Sequence, residues 1–234
     1  CKVISQAAFQ MGLPKPRQPW KEPLAKVLTL AEAGDVDLLD AQDKGRKFIL
    51  GQIDLPALQE QKVIAHDLES DGNIFIYGTS SSGKTTALRS IAMSLAVSSS
   101  PSDLVIYGLD CASGGMDSIK ELPHTIAVLG SRDAEGVGHF LTRMAKEIEL
   151  RKEILRSHGV STLGEYRTRL RNNADTSQAP LPRILVMLDS FAGYVAAFDK
   201  VEYGAWIEAF TRIISEGRPL GIHTISIVRG PNQS

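Results

Sequence analysis

Two short stretches carry residue types whose spacing could bind and hold a triphosphate. Residues 73–86 read N-I-F-I-Y-G-T-S-S-S-G-K-T-T, an apolar run followed by Gly78-x-x-x-x-Gly83-Lys84-Thr85. That is the spacing of a phosphate-binding loop set between a strand and a helix. Gly78 is expected to leave the strand in a conformation closed to residues with a Cβ, and Gly83 to let the backbone amides curl round an anion at the positive end of the helix. Lys84 would supply a point charge for the β- and γ-phosphates, and the Thr85 hydroxyl a ligand for Mg²⁺. Thr86 is expected to reach a phosphate farther back. The predicted nucleotide site is therefore Gly78, Thr79, Ser80, Ser81, Ser82, Gly83, Lys84, Thr85 and Thr86.

The second stretch is Ile184-Leu185-Val186-Met187-Leu188-Asp189, a buried strand ending in a carboxylate. Alone it could be a strand followed by a helix cap. About a hundred residues after a phosphate loop, it reads as the carboxylate that supports Mg²⁺ beside Thr85. Lys84 and Asp189 are thus the expected catalytic pair. The next residue is Ser190, where an NTPase of this kind presents a second carboxylate to polarise water, and its absence costs on the order of 10² to 10⁴ in rate. Asp199, Glu202 or Asp110 could reach in instead. The expectation is tight ATP binding with slow or absent hydrolysis.

These residues need an α/β scaffold to bring them together. From residue 73 onward, apolar runs alternate with helical patterns, with strands expected at 74–77, 104–109, 125–129, 184–188 and 222–228. Such alternation predicts a mostly parallel central sheet flanked by helices. A helix over 85–96 would bury Leu88, Ile91, Ala92 and Leu95. A longer one over 133–157 would bury Val137, Phe140, Leu141, Met144, Ile148 and Leu155. Thr162-x-x-Glu165 matches a capping box opening a shorter helix, and 172–182 reads as a polar, exposed loop. Ahead of the core, 47–54 and 62–67 read as two short strands joined by a connector at 55–61. Asp54, Pro56 and Gln59 could flank an adenine pocket or be purely structural. Residues 1–46 hold Pro14, Pro16, Pro19 and Pro23, which forbid a continuous helix and predict a linker or strap ahead of an ATPase domain at 47–234.

The 234 residues are 43% hydrophobic and 23% charged, with 26 basic against 27 acidic side chains and a net charge of -1. This balance argues against DNA, which calls for a strongly basic face. No stretch approaches the roughly 18 apolar residues of a membrane span. Cys1 and Cys111, without metal-ligand spacing, suggest reduced thiols. A start at Cys1 rather than Met suggests a fragment of a longer protein.

Taken with Asp110 and Gly114-Gly115 after a strand, Leu122-Pro123-His124, the tract G-V-S-T-L-G-E-Y-R at 159–167 and Gly221-Ile222-His223 before the final strand, the loop resembles FtsK/SpoIIIE-type ATPases. Within that group the chain is most similar to the tandem ATPase domains of the type VII secretion translocase EccC, the second or third. The likeness runs from about Phe48 to Arg229, and the lead segment with Trp20 and Pro23-Leu24 is similar to that family's inter-domain linker. The resemblance implies a RecA-like P-loop fold, ATP and Mg²⁺, and neighbouring ATPase domains in the same chain. It also implies a homo-oligomeric ring, a hexamer, in the parent and a secreted polypeptide's signal as partner. It places the domain on the cytoplasmic side of the cell membrane, touching membrane only through other parts of the parent. The alternative is the motor of an FtsK/SpoIIIE-type DNA translocase, and a small-molecule kinase is a third reading.

Departures from the family pattern matter. Cys111-Ala112-Ser113 replaces a Gly-rich stretch, and Val228 stands where a polar sensor is expected to face the loop. With Ser190, this suggests a degenerate, regulatory copy. Arg132, Arg218 and Arg229 are candidates to complete a neighbour's site, against surface charge as the plainer reading. Arg167, Arg169 and Arg171 read as a solvated helix end, His124 as structural, and Trp20, Trp206, Phe210 and Tyr203 as core or interface.

Overall fold

A computed structural model describes residues 22–29, 44–112, 114–172 and 180–229, together with Met11 and Glu32. Cys1, Pro14, Pro16, Pro19, Trp20, Ser113 and most of the predicted 172–182 loop lie outside the described residues.

The core is a five-stranded parallel sheet in the order β3-β7-β6-β4-β5. Its strands are β3 (Ile74–Gly78), β4 (Leu104–Asp110), β5 (Thr125–Gly130), β6 (Arg183–Asp189) and β7 (Ile222–Arg229). The helices are α1 (Lys84–Ser98), α2 (Ala134–Ser157), α3 (Leu163–Asn172), α4 (Phe191–Phe198) and α5 (Ala205–Glu216). Every residue of β6 is buried, the burial expected of a central strand covered on both faces. Its alternation divides the core in two. Ile184, Val186 and Leu188 join the α2–α5 side with Phe140, Met144, Tyr194 and Phe210, whereas Leu185 and Met187 join the α1 side with Phe48, Leu88, Leu95 and Ile225.

The helix stripes form as their periodicity predicts. Leu88, Ile91, Ala92 and Leu95 are buried on α1, and Val137, Phe140, Leu141, Met144, Ile148 and Leu155 on α2. Asp133 caps α2 through Gly136 N at 2.9 Å. The capping box at α3 closes with a shift: Thr162 Oγ1 accepts from Glu165 N at 3.2 Å, while Glu165 Oε2 accepts from Ser161 N, one residue earlier than Thr162, at 2.8 Å.

Ahead of the core, β1 (Lys47–Leu55) and β2 (Glu60–Asp67) pair as an antiparallel hairpin whose turn is shorter than the predicted connector, since β2 already begins at Glu60. The hairpin docks on α1 through buried Phe48 and through Ile49 N, which donates to Ser94 Oγ at 3.3 Å. Among the described residues, the lead segment touches it where Gln61 Nε2 donates to Glu22 O at 2.8 Å and Gln52 Nε2 to Glu32 O at 3.3 Å. Among the described residues, no helix is long and apolar enough to cross a membrane.

The N-terminal edge of the sheet is laced by arginines. Arg183 donates to Glu69 Oε1 through Nε at 2.9 Å and Nη2 at 2.5 Å. Arg151, 1% exposed and inside the α2 stripe, reaches Glu147 Oε1 at 2.7 Å and the carbonyls of Leu220 and Pro182 at 2.8 Å each. Arg167 bridges Asp103 Oδ1 at 2.7 Å and Leu181 O at 2.8 Å, so it is a half-buried tie between elements and not the solvated charge its sequence context suggests. Arg218 holds the carbonyls of Glu69 and Ser70. His223, wholly buried, lies near Arg183, Arg218 and Arg151; burial first, then these charges, push its pKa down to about 3.

Candidate functional site

The phosphate loop leaves β3 at Gly78 and enters α1 at Lys84. Gly83 sits at φ 87, a left-handed conformation that favours glycine, and no side chain caps the amides that open α1. An uncapped helix N-terminus behind a turn of exposed amides fits a phosphate group. Gly78 does not take the conformation its position suggests. Its φ is not positive, and a Cβ there would stand 2.5 Å from Ser82 Oγ, a hydroxyl that would have to rotate to make room. The Lys84 ammonium lies against Thr79 O and within 3.5 Å of Ser82 Oγ, folded over the loop that carries it.

The sheet brings the second stretch to the same place. Parallel strands β3, β7 and β6 lie side by side, which sets the end of β6 two strands from the loop. There the Thr85 hydroxyl donates to Asp189 Oδ2 at 2.9 Å. Burial raises the Asp189 carboxyl above its usual range; the Asp110 charge adds to this, while the Thr85 hydrogen bond and the charges of Lys84 and Arg89 oppose it. A carboxylate held in that state favours a cation, and with a threonine hydroxyl beside it forms an oxygen set suited to Mg²⁺.

A cavity of about 570 Å³ opens over this pair, within the usual range for small-molecule sites. From the loop and the start of α1 it is lined by Ser80, Ser81, Lys84 and Thr85, from the end of β6 and its next residue by Asp189 and Ser190, and from the first turn of α4 by Ala192 and Gly193; Ala112 and Ile227 complete it. Thr79, Ser82, Gly83 and Thr86 lie beside the cavity without lining it. Asp54, Pro56 and Gln59 are at the tip of the β1–β2 hairpin and do not join it.

Among the described residues, no carboxylate other than Asp189 lines the cavity. Ser190 takes φ 83 and caps α4, its Oγ accepting from Gly193 N at 3.0 Å. Its hydroxyl is thus engaged as a cap, a role that a sequence reading focused on the missing carboxylate does not reveal. Asp110 is consumed locally: its carboxylate accepts from the amides of Ala112 and Gly114 at 3.2 Å each and of Met116 at 2.9 Å. Asp199 and Glu202 are exposed beyond the far end of α4, a helix capped by Ser190 at the site and ending away from it. On β7 it is Ile227, not Val228, that lines the cavity, because successive strand residues point to opposite faces. Either residue is apolar, so neither offers a side-chain hydrogen bond there.

The remaining candidates lie elsewhere. His124 is buried with Nε2 against Ser99 O at 3.1 Å, a structural position. Cys111 is buried beside the site, and burial with the charges of Asp110 and Asp189 pushes its thiol up to about 12, which makes it inert as a nucleophile. Arg218 lies at the sheet's opposite edge, whereas Arg132 is exposed just past the end of β5, on the same edge as the loop. Phe210 is core, Trp206 packs on Phe198 at 5.1 Å, and Tyr203 is fully exposed. Two residues absent from the predicted set, Arg89 and Gly115, join at the site through Arg89 Nε to Gly115 O at 2.6 Å.

Comparison with known proteins matches residues 42–232 to the FtsK/SpoIIIE family. The ESX secretion system protein YukB of Bacillus subtilis is 29% identical over 222 residues, 94% of this chain and 13% of that protein. A solved structure of EssC, ATPases 2 and 3, from Geobacillus thermodenitrificans superposes with a TM-score of 0.67 at 27% identity, covering 95% of this chain and 37% of that one. The Thermomonospora curvata EccC structure, ATPases 2 and 3 in complex with a signal sequence peptide, shares the fold with a TM-score of 0.71 at 23% identity over 89% of this chain and 36% of that one. The chain thus spans from about an eighth to about a third of the length of these relatives.

Proposed function

The chain belongs to the FtsK/SpoIIIE family, and from that premise we propose that it is an ATP-binding domain of a type VII protein secretion ATPase, one that binds its nucleotide far better than it hydrolyses it. The observation that carries the reading is the meeting of an intact phosphate loop with Asp189 through the 2.9 Å contact to Thr85, in a chain whose similar solved structures include tandem EssC ATPase domains.

In this reading the amides at the opening of α1 hold the phosphates and Lys84 swings off Thr79 O to meet the β- and γ-oxygens. Thr85 and Asp189 would hold the divalent cation. When bound, Mg²⁺ would neutralise charge on the phosphate oxygens. Ser190, committed to capping α4, cannot draw a proton from water, and Asp110 is turned to three backbone amides and does not line the cavity. The domain is then a regulatory copy that senses nucleotide beside its neighbours, in a ring of like chains on the cytoplasmic face of the membrane. Its polypeptide partner is a secretion signal, by analogy with the signal sequence peptide held in the Thermomonospora curvata complex.

The test pairs nucleotide affinity with hydrolysis rate in the wild type and in Ser190→Glu. Tight binding with turnover far below one per second in the wild type, raised in the variant, supports the reading; fast and equal turnover in both removes the regulatory part of it. Retention on a basic-patch-dependent, salt-sensitive DNA ligand would favour the translocase alternative.

A further inference from the structure

Asp110 ends β4 in register with Asp189 on β6, yet the two carboxylates do different things. Asp189 faces the cavity, whereas Asp110 gathers the amides of Ala112, Gly114 and Met116 and so fixes the chain just after β4. The same stretch is pinned from α1, where Arg89 Nε donates to Gly115 O at 2.6 Å. Arg89 is four residues beyond Thr85, so both project from one face of the helix. Between the two pins, Gly115 is pressed against the Thr85–Asp189 pair. A Cβ on Gly115 would lie 2.6 Å from Thr85 Cγ2 and 3.4 Å from Asp189 Oδ2.

A threonine has three staggered χ1 positions, and the occupied one decides whether the hydroxyl or the methyl faces a given neighbour. Here the methyl rests against the Gly115 backbone and the hydroxyl meets Asp189. Any side chain at Gly115 would claim the space of the Thr85 methyl and force that rotamer or the backbone to move.

We infer that Gly115, held by Asp110 and Arg89, is a positioning residue that sets the Thr85 rotamer and thereby shapes the divalent-cation site of the nucleotide pocket. The cation part of this rests on the proposed nucleotide reading; the rotamer part does not.

Two variants test it, Gly115→Ala and the milder Arg89→Met, which adds no atoms near Thr85. Crystal structures of the ligand-free variants read the Thr85–Asp189 contact directly. Titration with a non-hydrolysable ATP analogue, in Mg²⁺ and again in excess EDTA, reads the cation's contribution as a ratio of affinities. The expected result is a broken or rotated Thr85 contact in Gly115→Ala, with that ratio reduced on the order of 10-fold or more and affinity in EDTA unchanged. Arg89→Met should fall between this variant and the wild type. An intact Thr85–Asp189 contact with an unchanged ratio overturns the inference, as does an equal loss of affinity with and without Mg²⁺. Wild-type protein that binds no nucleotide would remove the proposed function instead, and the ligand-free structures would then decide the positioning role alone.

Discussion

The two edges of the sheet are built on opposite principles. At the N-terminal edge, Arg151, Arg167, Arg183 and Arg218 all have their guanidinium groups matched to carboxylates or backbone carbonyls of other elements. At the C-terminal edge, the α1 amides have no side-chain cap, Lys84 folds onto its own loop, and burial raises the Asp189 carboxyl. One edge has its arginines matched and holds the layers in place, the two ring nitrogens of buried His223 being left without a hydrogen-bond partner there. The other keeps its polar groups under-matched, which is how a fold leaves room for a charged ligand.

Breaking the arginine-laced edge should give the largest effect. Arg151→Met leaves Glu147 and two carbonyls without their partner, and removing one member of so buried a set costs about 3–5 kcal/mol. Denaturant unfolding should register this loss while nucleotide affinity of the folded fraction stays at the wild-type value; a matching fall in affinity would mean that the two edges are coupled. Lys84→Ala is the mirror experiment. Affinity for a triphosphate should drop on the order of 10- to 100-fold, as expected for loss of a charge-assisted contact, with the unfolding midpoint unmoved.

His223 sharpens the contrast through pH. Its folded pKa is about 3 against 6.5 for the free side chain, so between those values the unfolded chain takes up a proton that the folded chain refuses. Stability therefore falls as pH drops through that window, by at most about 1.4 kcal/mol per pH unit. His223→Leu should flatten the curve there, and an unchanged slope would show that another group carries it. The smallest effect is expected from Glu216→Gln, between α2 and α5. Arg212 and Lys152 hold this half-buried carboxyl down to about 2, so its contribution is present above the ordinary carboxylate range and lost as pH falls toward 2. Solvent screening keeps the change in Tm within about 2 °C.

Much of the scaffold is legible in the sequence because burial imposes periodicity on it. The α1 and α2 stripes and the five parallel strands follow from apolar spacing, and the phosphate loop from fixed residue types at fixed intervals. What escapes is what depends on contacts between distant residues. The role of Arg151, set inside an apolar stripe, shows only once α2 is seen against the turns before β6 and β7. Gly115 and Arg89 become significant only once α1 and the chain after β4 are side by side. Ser190 reads as a missing carboxylate, whereas its hydroxyl has a job of its own in starting α4.

The strand order also dictates when the site can exist during synthesis. Among the described residues, β3 pairs only with β7, and Ile74 meets Ile225 near the other end of the chain. A nascent chain emerging at about 5–20 residues per second would display the phosphate loop for on the order of ten to thirty seconds before the strand that aligns it leaves the ribosome. Until then β4, β5 and β6 can associate as neighbours, but β3 has no partner among them. On the proposed reading, nucleotide capture therefore waits for β7, and the ability to bind reports that the chain from β3 through β7 has been made and paired in the right order.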